Sequence, residues 1–213
     1  MFFIKLGSSD DLDVFKALDQ SQAIIHFSPD GTILSANENF LKLMGYRLDE
    51  ITGKHHAIFV DPAYRSSSEY ASFWRELGAG QFRNAVFKRL THDHREIFIQ
   101  GSYTPILDRS GRVRRVIKFA TDVTADVLKT VEYEGQVTAI QKTQAVIHFD
   151  PEGVILWANN VFLDLMGYRM DEILGQPHSL FLKDNYAKSQ DYRGFWAELR
   201  LGQAKIAEFH RLA

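Results

Sequence analysis

The chain has 213 residues and a mass of 24.4 kDa, with a formal net charge of −2, a pI near 6.4, 45% hydrophobic and 13% aromatic residues, and no cysteine. That balance excludes disulfides, thiolate metal sites and a cysteine nucleophile, leaves no electrostatic footprint for nucleic acid, and supplies enough apolar residue for compact cores. No apolar run approaches the ~20 residues that cross a bilayer, and Met1-Phe2-Phe3-Ile4 is too short for a signal-peptide core and lacks a basic segment before it. The expectation is a cytoplasmic protein.

In chain order, Ser8-Ser9-Asp10-Asp11 followed by Leu12, Phe15 and Leu18 predicts a capped amphipathic helix within residues 1–19. Ile25 and Phe27 alternate with His26 and Ser28 as in a half-buried strand, Pro29-Asp30-Gly31 turns the chain, and residues 32–36 return. His26, and His148 at the matching place later in the chain, alternate with the core-facing residues and are expected to face solvent or a neighbouring domain. Asn37 caps a short helix with Phe40, Leu41 and Met44 on one face, Gly45 ends it, and residues 48–51 make another turn before Gly53. Pro62 opens a longer helix carrying Tyr70, Phe73, Trp74 and Leu77 at i, i+3, i+4 and i+7. Residues 82–90, 96–106 and 113–120 are predicted strands, joined by turns at His92-Asp93-His94 and at 108–111. The basic cluster at 109–118 alternates with Val113, Val116 and Ile117 and reads as the solvated face of the last strand. Two strands, a block of helices and three sequential strands give an α+β unit. Its sheet is antiparallel, its helices lie on one face, and the space between them can hold a small ligand.

Residues 125–143 read as a helical linker. Val127, Leu128, Val131 and Ile140 give it a narrow apolar stripe suited to a two-helix seam in a homodimer, the alternative being a linker that lies on its own domain. Gly135 interrupts it as a flexible point.

The first unit then recurs at an offset of 122 residues, with about half of the aligned positions identical. Ala23 to Gly31 returns as Ala145 to Gly153, Phe40 to Arg47 as Phe162 to Arg169, and Phe73-Trp74 as Phe195-Trp196. So long a period makes each copy a domain rather than a solenoid repeat. The expected organisation is a helix at 1–19, a first domain at 20–124, the linker at 125–143, and a second domain at 144–213. Nothing in the second copy corresponds to residues 92–122, so its last two strands are missing. Its first strand is then expected to lack a neighbour, leaving the second domain poorly ordered at its end or completed by another chain.

The Asp-Gly turn, the Ala36-Asn37 helix start, Met44-Gly45-Tyr46, Asp49-Glu50-Ile51 with Gly53, Tyr103-Thr104-Pro105-Ile106 and the closing Asp122-Val123-Thr124 together resemble a PAS domain. Residues 53–59, with Phe73-Trp74 and Leu77, are similar to the paired PAS modules of soluble bacterial methyl-accepting chemotaxis transducers, the group of biofilm-dispersion regulators and aerotaxis sensors. The resemblance implies a sensory input region whose output is a helical signalling domain absent from this chain. It also implies that the last strand lies beside the first, and that strain passes from the sheet through Asp122, Val123 and Thr124 into the linker.

The candidate site residues follow from the same resemblance. His56 and His178, each three residues after a glycine, are candidate haem ligands, and Trp74 and Trp196 are candidate stacking partners for a flavin. The simpler readings are a histidine capping or hydrogen-bonding near a helix start, and tryptophans in a packed core. His92 and His94 sit in a turn and read as solvated. Asp49-Glu50 and Asp171-Glu172 read as exposed helix starts. No phosphate loop, zinc-protease helix, nucleophile elbow or kinase set is present, so the chain is expected not to be an enzyme. Three functions compete: a sensory and dimerisation module, a haem or flavin redox or gas sensor, and a scaffold that binds only protein.

Overall fold

The computed structural model describes residues 8–206, and the chain divides between Lys129 and Thr130 into two units. The first unit runs α1 (Ser8–Ser21), β1 (Ala23–Phe27), β2 (Ile33–Ala36), α2 (Glu38–Met44), α3 (Leu48–Ile51), a 3-10 turn (His56–Phe59), α4 (Pro62–Arg65), α5 (Ser68–Gly78), β3 (Arg83–Leu90), β4 (Glu96–Leu107) and β5 (Val113–Asp122). Its sheet is antiparallel throughout in the order β2-β1-β5-β4-β3, so the last strand pairs with the first at the centre. Alternation along β1 turns Ala23, Ile25 and Phe27 into a core shared with Ile33, Met44, Ile51, Phe59, Leu77, Ile99 and Val116.

Asn37 does more than cap α2. Its Oδ1 accepts from Phe40 N at 3.0 Å and from Ile24 N at 2.9 Å, while Nδ2 donates to Asp19 O at 2.9 Å and Gln22 O at 2.7 Å. One side chain thus joins the end of α1, the first strand and the first helix of the block. Asn159 repeats the arrangement in the second unit, accepting from Phe162 N and Val146 N and donating to Gln141 O and Gln144 O.

Three readings of the sequence change. The helix opened by Pro62 is two helices: α4 stops at Arg65, and the Ser67 hydroxyl accepts from Tyr70 N to cap α5 afresh, since serines compete with the helical backbone. Lys118 is not on a solvated face. Strand pairing sets it opposite Tyr103 and Ile25, on the inner face between Val116 and Ala120, at 2% exposure. The linker is α6 (Thr124–Thr143), which runs unbroken through Gly135 and has no buried residue. At about 100° per residue, Val127, Leu128 and Val131 lie on one flank of it, and Tyr133, Val137 and Ile140 lie on the opposite flank. There are two half-stripes, not one.

The second unit has β6 (Ile147–Phe149), β7 (Ile155–Ala158), α7 (Asn160–Met166), α8 (Met170–Ile173), a 3-10 turn (His178–Phe181), α9 (Asp184–Ala187) and α10 (Gln190–Arg200). β6 and β7 form a two-stranded antiparallel sheet over a core of Ile155, Ala158, Met166, Ile173 and Phe181. The counterpart expected for residues 82–90 falls at 204–212, of which 207–212 lie outside the described residues and 204–206 form no strand. No helix among the described residues is long and apolar enough to cross a membrane.

Glycine at the Asp30-Gly31 turn is required twice over. Gly31 has φ +92°, and a Cβ there would stand 2.6 Å from both Trp74 Cε2 and His55 Nε2. Gly31→Ala should therefore cost about 2–4 kcal/mol of unfolding free energy, from left-handed strain plus overpacking. Gly53→Ala, at φ +79° with nothing near its Cβ, should cost only about 1–2 kcal/mol. Urea denaturation of the two variants measures the difference, and equal losses would show that the Trp74 contact is unimportant.

Candidate functional site

The space between sheet and helices in the first unit is organised around His56. The turn and the 3-10 segment dock on each other through His56 N, which donates to Gly31 O at 2.9 Å, and through His55 Nε2, which lies 2.8 Å from Asp30 O. This places the His56 ring inside the core with no exposed surface. Nδ1 lies 2.9 Å from the Tyr70 hydroxyl on α5, and Nε2 lies 2.9 Å from the Tyr103 hydroxyl on β4. The ring stacks on Tyr70 and Phe73 and meets Phe27, Phe59 and Trp74 edge-on. Burial, with Arg89, Lys118 and His55 adding to it, holds the proton affinity of His56 well below the usual histidine range, so the ring is neutral.

The Tyr103 hydroxyl is the hub. It also accepts from Arg89 Nη2 at 3.2 Å, and Lys118 Nζ stands 4.8 Å from the centre of its ring. Arg89 is 3% exposed; its Nη1 donates to Lys88 O at 2.7 Å, and its guanidinium lies 4.8 Å over Phe87. Among the described residues, no carboxylate stands within ion-pair distance of Arg89 or Lys118. Burial, and then Arg89, lower the proton affinity of Lys118, against the pull of Tyr103. For Tyr103, burial pushes the phenol up, but Arg89 and Lys118 together outweigh it and the net shift is downward. Tyr70 has weaker compensation, and burial carries it up to about 12.

A groove of about 580 Å³ leads to Arg89 between β3 and the α4–α5 block, with Val60, Tyr64, Glu69 and Phe87 on its walls. In the second unit, His178 Nδ1 lies 3.1 Å from the Tyr192 hydroxyl among Phe149, Phe181, Phe195 and Trp196. Beside this cluster is a cavity of about 190 Å³, smaller than the ~300–1,000 Å³ of ordinary small-molecule sites.

The residues singled out in the sequence are brought together pairwise: His56 with Trp74 at 5.3 Å between ring centres, and His178 with Trp196 at 5.6 Å. This arrangement does not fit haem ligation by His56, because both its nitrogens are directed at hydroxyls. It does not offer Trp74 to a flavin either, because Gly31, Phe27, Phe73 and Tyr103 enclose the indole. Asp122, Val123 and Thr124 are elsewhere and tie α6 to β4. Asp122 Oδ1 accepts from Thr124 N, Val123 N donates to Phe98 O, and Thr124 Oγ1 accepts from Phe98 N, each at 2.9 Å. His92 meets Tyr46 edge-on, and no cluster of potential metal ligands occurs among the described residues. His26 is half-buried, and burial and Arg115 lower its proton affinity. Asp49 and Asp171 pair with Arg47 and Arg169 at exposed helix starts. Tyr70, Tyr103, Arg89 and Lys118 were not singled out. The period of two from Ile97 and Ile99 to Tyr103 is the signal that places Tyr103 inside.

Neutral His56 makes stability depend on pH. Unfolded histidine titrates near 6.5, so below that value the unfolded chain binds the extra proton and stability falls as pH drops, by up to ~1.4 kcal/mol per pH unit for one group. His26, also lowered, acts in the same direction. In His56→Gln, the slope of unfolding free energy between pH 6.5 and 5 should flatten by about one proton's worth. An unaltered slope would mean that His56 does not titrate with unfolding.

Comparison with known proteins agrees with this geometry. Residues 18–128 match the PAS fold family, and residues 144–212 match the PAS domain family. The biofilm dispersion protein BdlA of Pseudomonas aeruginosa is 38% identical over 196 residues, which is 92% of this chain and 47% of BdlA, so the chain spans about half the length of that relative. An RNA-binding light-oxygen-voltage receptor superposes at a TM-score of 0.52 with 19% identity, over 65% of this chain and 40% of that one. A light-oxygen-voltage domain probed with a flavin analogue gives 0.47 and 22%, over 62% and 99%. With both halves matched and the strand order β2-β1-β5-β4-β3 in the first, the chain belongs to the PAS family and carries two of its domains in tandem.

Proposed function

We propose that this chain is the sensory and dimerising input region of a chemotaxis-type signal transducer that acts in biofilm dispersion. The first PAS unit receives the stimulus, and α6 carries it onward. One observation carries the reading: two of the pocket's polar residues and the attachment of α6 share two strands. Tyr103 is on β4 and Lys118 on β5, the strand that ends at Asp122; Ile99 of β4 pairs with Asp122, and Phe98 holds Val123 and Thr124. A ligand that favours one arrangement of Tyr103 and its neighbours therefore acts on the strand pair from which α6 starts, provided it binds two arrangements with different affinity. The likeness to BdlA supports the biological setting. The exposed apolar flanks of α6, with Leu128 at 56% and Val137 at 52% exposure, support a seam with a second copy.

In the full-length transducer, Asp122→Ala should abolish the signalling response while leaving the first unit folded, since removing one exposed hydrogen bond costs only about 1 kcal/mol. An intact response would sink the route through residues 122–124. Sedimentation should show a dimer that Leu128→Glu or Val137→Glu converts to monomer, and a monomeric parent chain would remove dimerisation from the reading.

A further inference from the structure

The first unit buries two cations, Arg89 and Lys118, without a carboxylate in ion-pair reach among the described residues. Ring faces, one phenol oxygen and one backbone carbonyl compensate only part of what two buried charges lose in leaving water. Arg89 is also incompletely used. Nη1 and Nη2 donate to Lys88 O and to the Tyr103 hydroxyl, whereas Nε is buried and meets no acceptor among the described residues. The same side chain lines the groove between β3 and the α4–α5 block. We propose that the first PAS unit recognises a small organic monocarboxylate, whose carboxylate accepts from Arg89 Nε and whose apolar body lies against Tyr64 and Phe87.

The walls of the groove set the class further. Tyr64 and Phe87 present aromatic surface that suits a flat ligand. Asp61 and Glu69 line the same groove, and Lys88, the other cation on its wall, is paired with Glu96, so the carboxylates oppose a second negative charge on the ligand. A monoanion is therefore favoured over a dicarboxylate or phosphate. Lys118 contributes through its field, from the far side of the Tyr103 ring. Because Arg89 also holds the Tyr103 hydroxyl, a carboxylate at Nε competes for the guanidinium that positions the hub. This inference rests on the sensory reading of the first unit and names the chemistry of its ligand.

Calorimetry and thermal shift on the whole chain test it, with benzoate as the probe, benzamide as its neutral isostere, and phthalate and inorganic phosphate as more highly charged anions. Benzoate should bind and raise the melting temperature, at least about tenfold tighter than benzamide, as expected for a hydrogen bond to a charged group. Phthalate and phosphate should bind more weakly. Arg89→Gln, shown to be folded by circular dichroism, should lose about tenfold in benzoate affinity, and Lys118→Met should weaken it by a smaller factor. No benzoate binding at millimolar concentration, equal binding of benzoate and benzamide, or undiminished affinity in Arg89→Gln would each overturn the assignment. If Arg89→Gln does not fold, unchanged benzoate affinity in Lys118→Met overturns it instead. These outcomes are separable from failure of the sensory reading, which turns on the Asp122→Ala response and needs no benzoate.

Discussion

Two positive charges inside an aromatic core are the constraint to which the rest of the first unit answers. Moving one ion out of water costs several kcal/mol even after the surroundings relax. A cation over a ring recovers about 0.5–2 kcal/mol, and a hydrogen bond to a charged group about 1.5–3 kcal/mol. Arg89 has one ring, one phenol oxygen and the Lys88 carbonyl, and Lys118 has the faces of Tyr103 and Phe40. Lys118 has no such hydrogen-bonded carbonyl among the described residues, and burial lowers its proton affinity, while the two cations together draw that of the Tyr103 phenol down against its own burial. Tyr103 stands where the accounts of histidine, arginine and lysine meet, and β4 is the strand that holds it there.

The second unit shows which part of the arrangement recurs. It keeps the cage: His178 with Tyr192, Phe195 and Trp196 repeats His56 with Tyr70, Phe73 and Trp74. At the same offset of 122 residues the position matching Arg89 is again an arginine, Arg211. The histidine and its ring partners are therefore part of an inherited packing arrangement common to both copies.

Much of this was legible in the sequence, for physical reasons that differ by element. The turn at Asp30-Gly31, the caps at Asn37 and Asn159 and the left-handed stops at Gly45 and Gly167 are local chemistry, readable from a few residues. The strand spans are read from a period of two, and the neighbouring positions of β1 and β5 came from family resemblance, since pairing between distant strands leaves no local trace. Lys118 was misplaced because a charge in a strand was assigned to water, although Val116 and Ala120 on either side of it give the inner parity. The break between α4 and α5 was missed because the apolar spacing from Tyr70 onward continues in phase, while the capping by Ser67 depends on a side-chain rotamer. On α6, composition suggested one stripe, and only the angular position of each residue separates the two.

Asn37 and Asn159 do the same task at two addresses. Each grips the closing carbonyls of the helix that arrives from upstream and fastens them to the opening strand and helix of its own module. A copy of this unit therefore brings with it the socket for whatever rod precedes it. Modules of this kind can be strung in series by gene duplication without inventing a new joint, and the mechanical connection between successive members is inherited along with the fold.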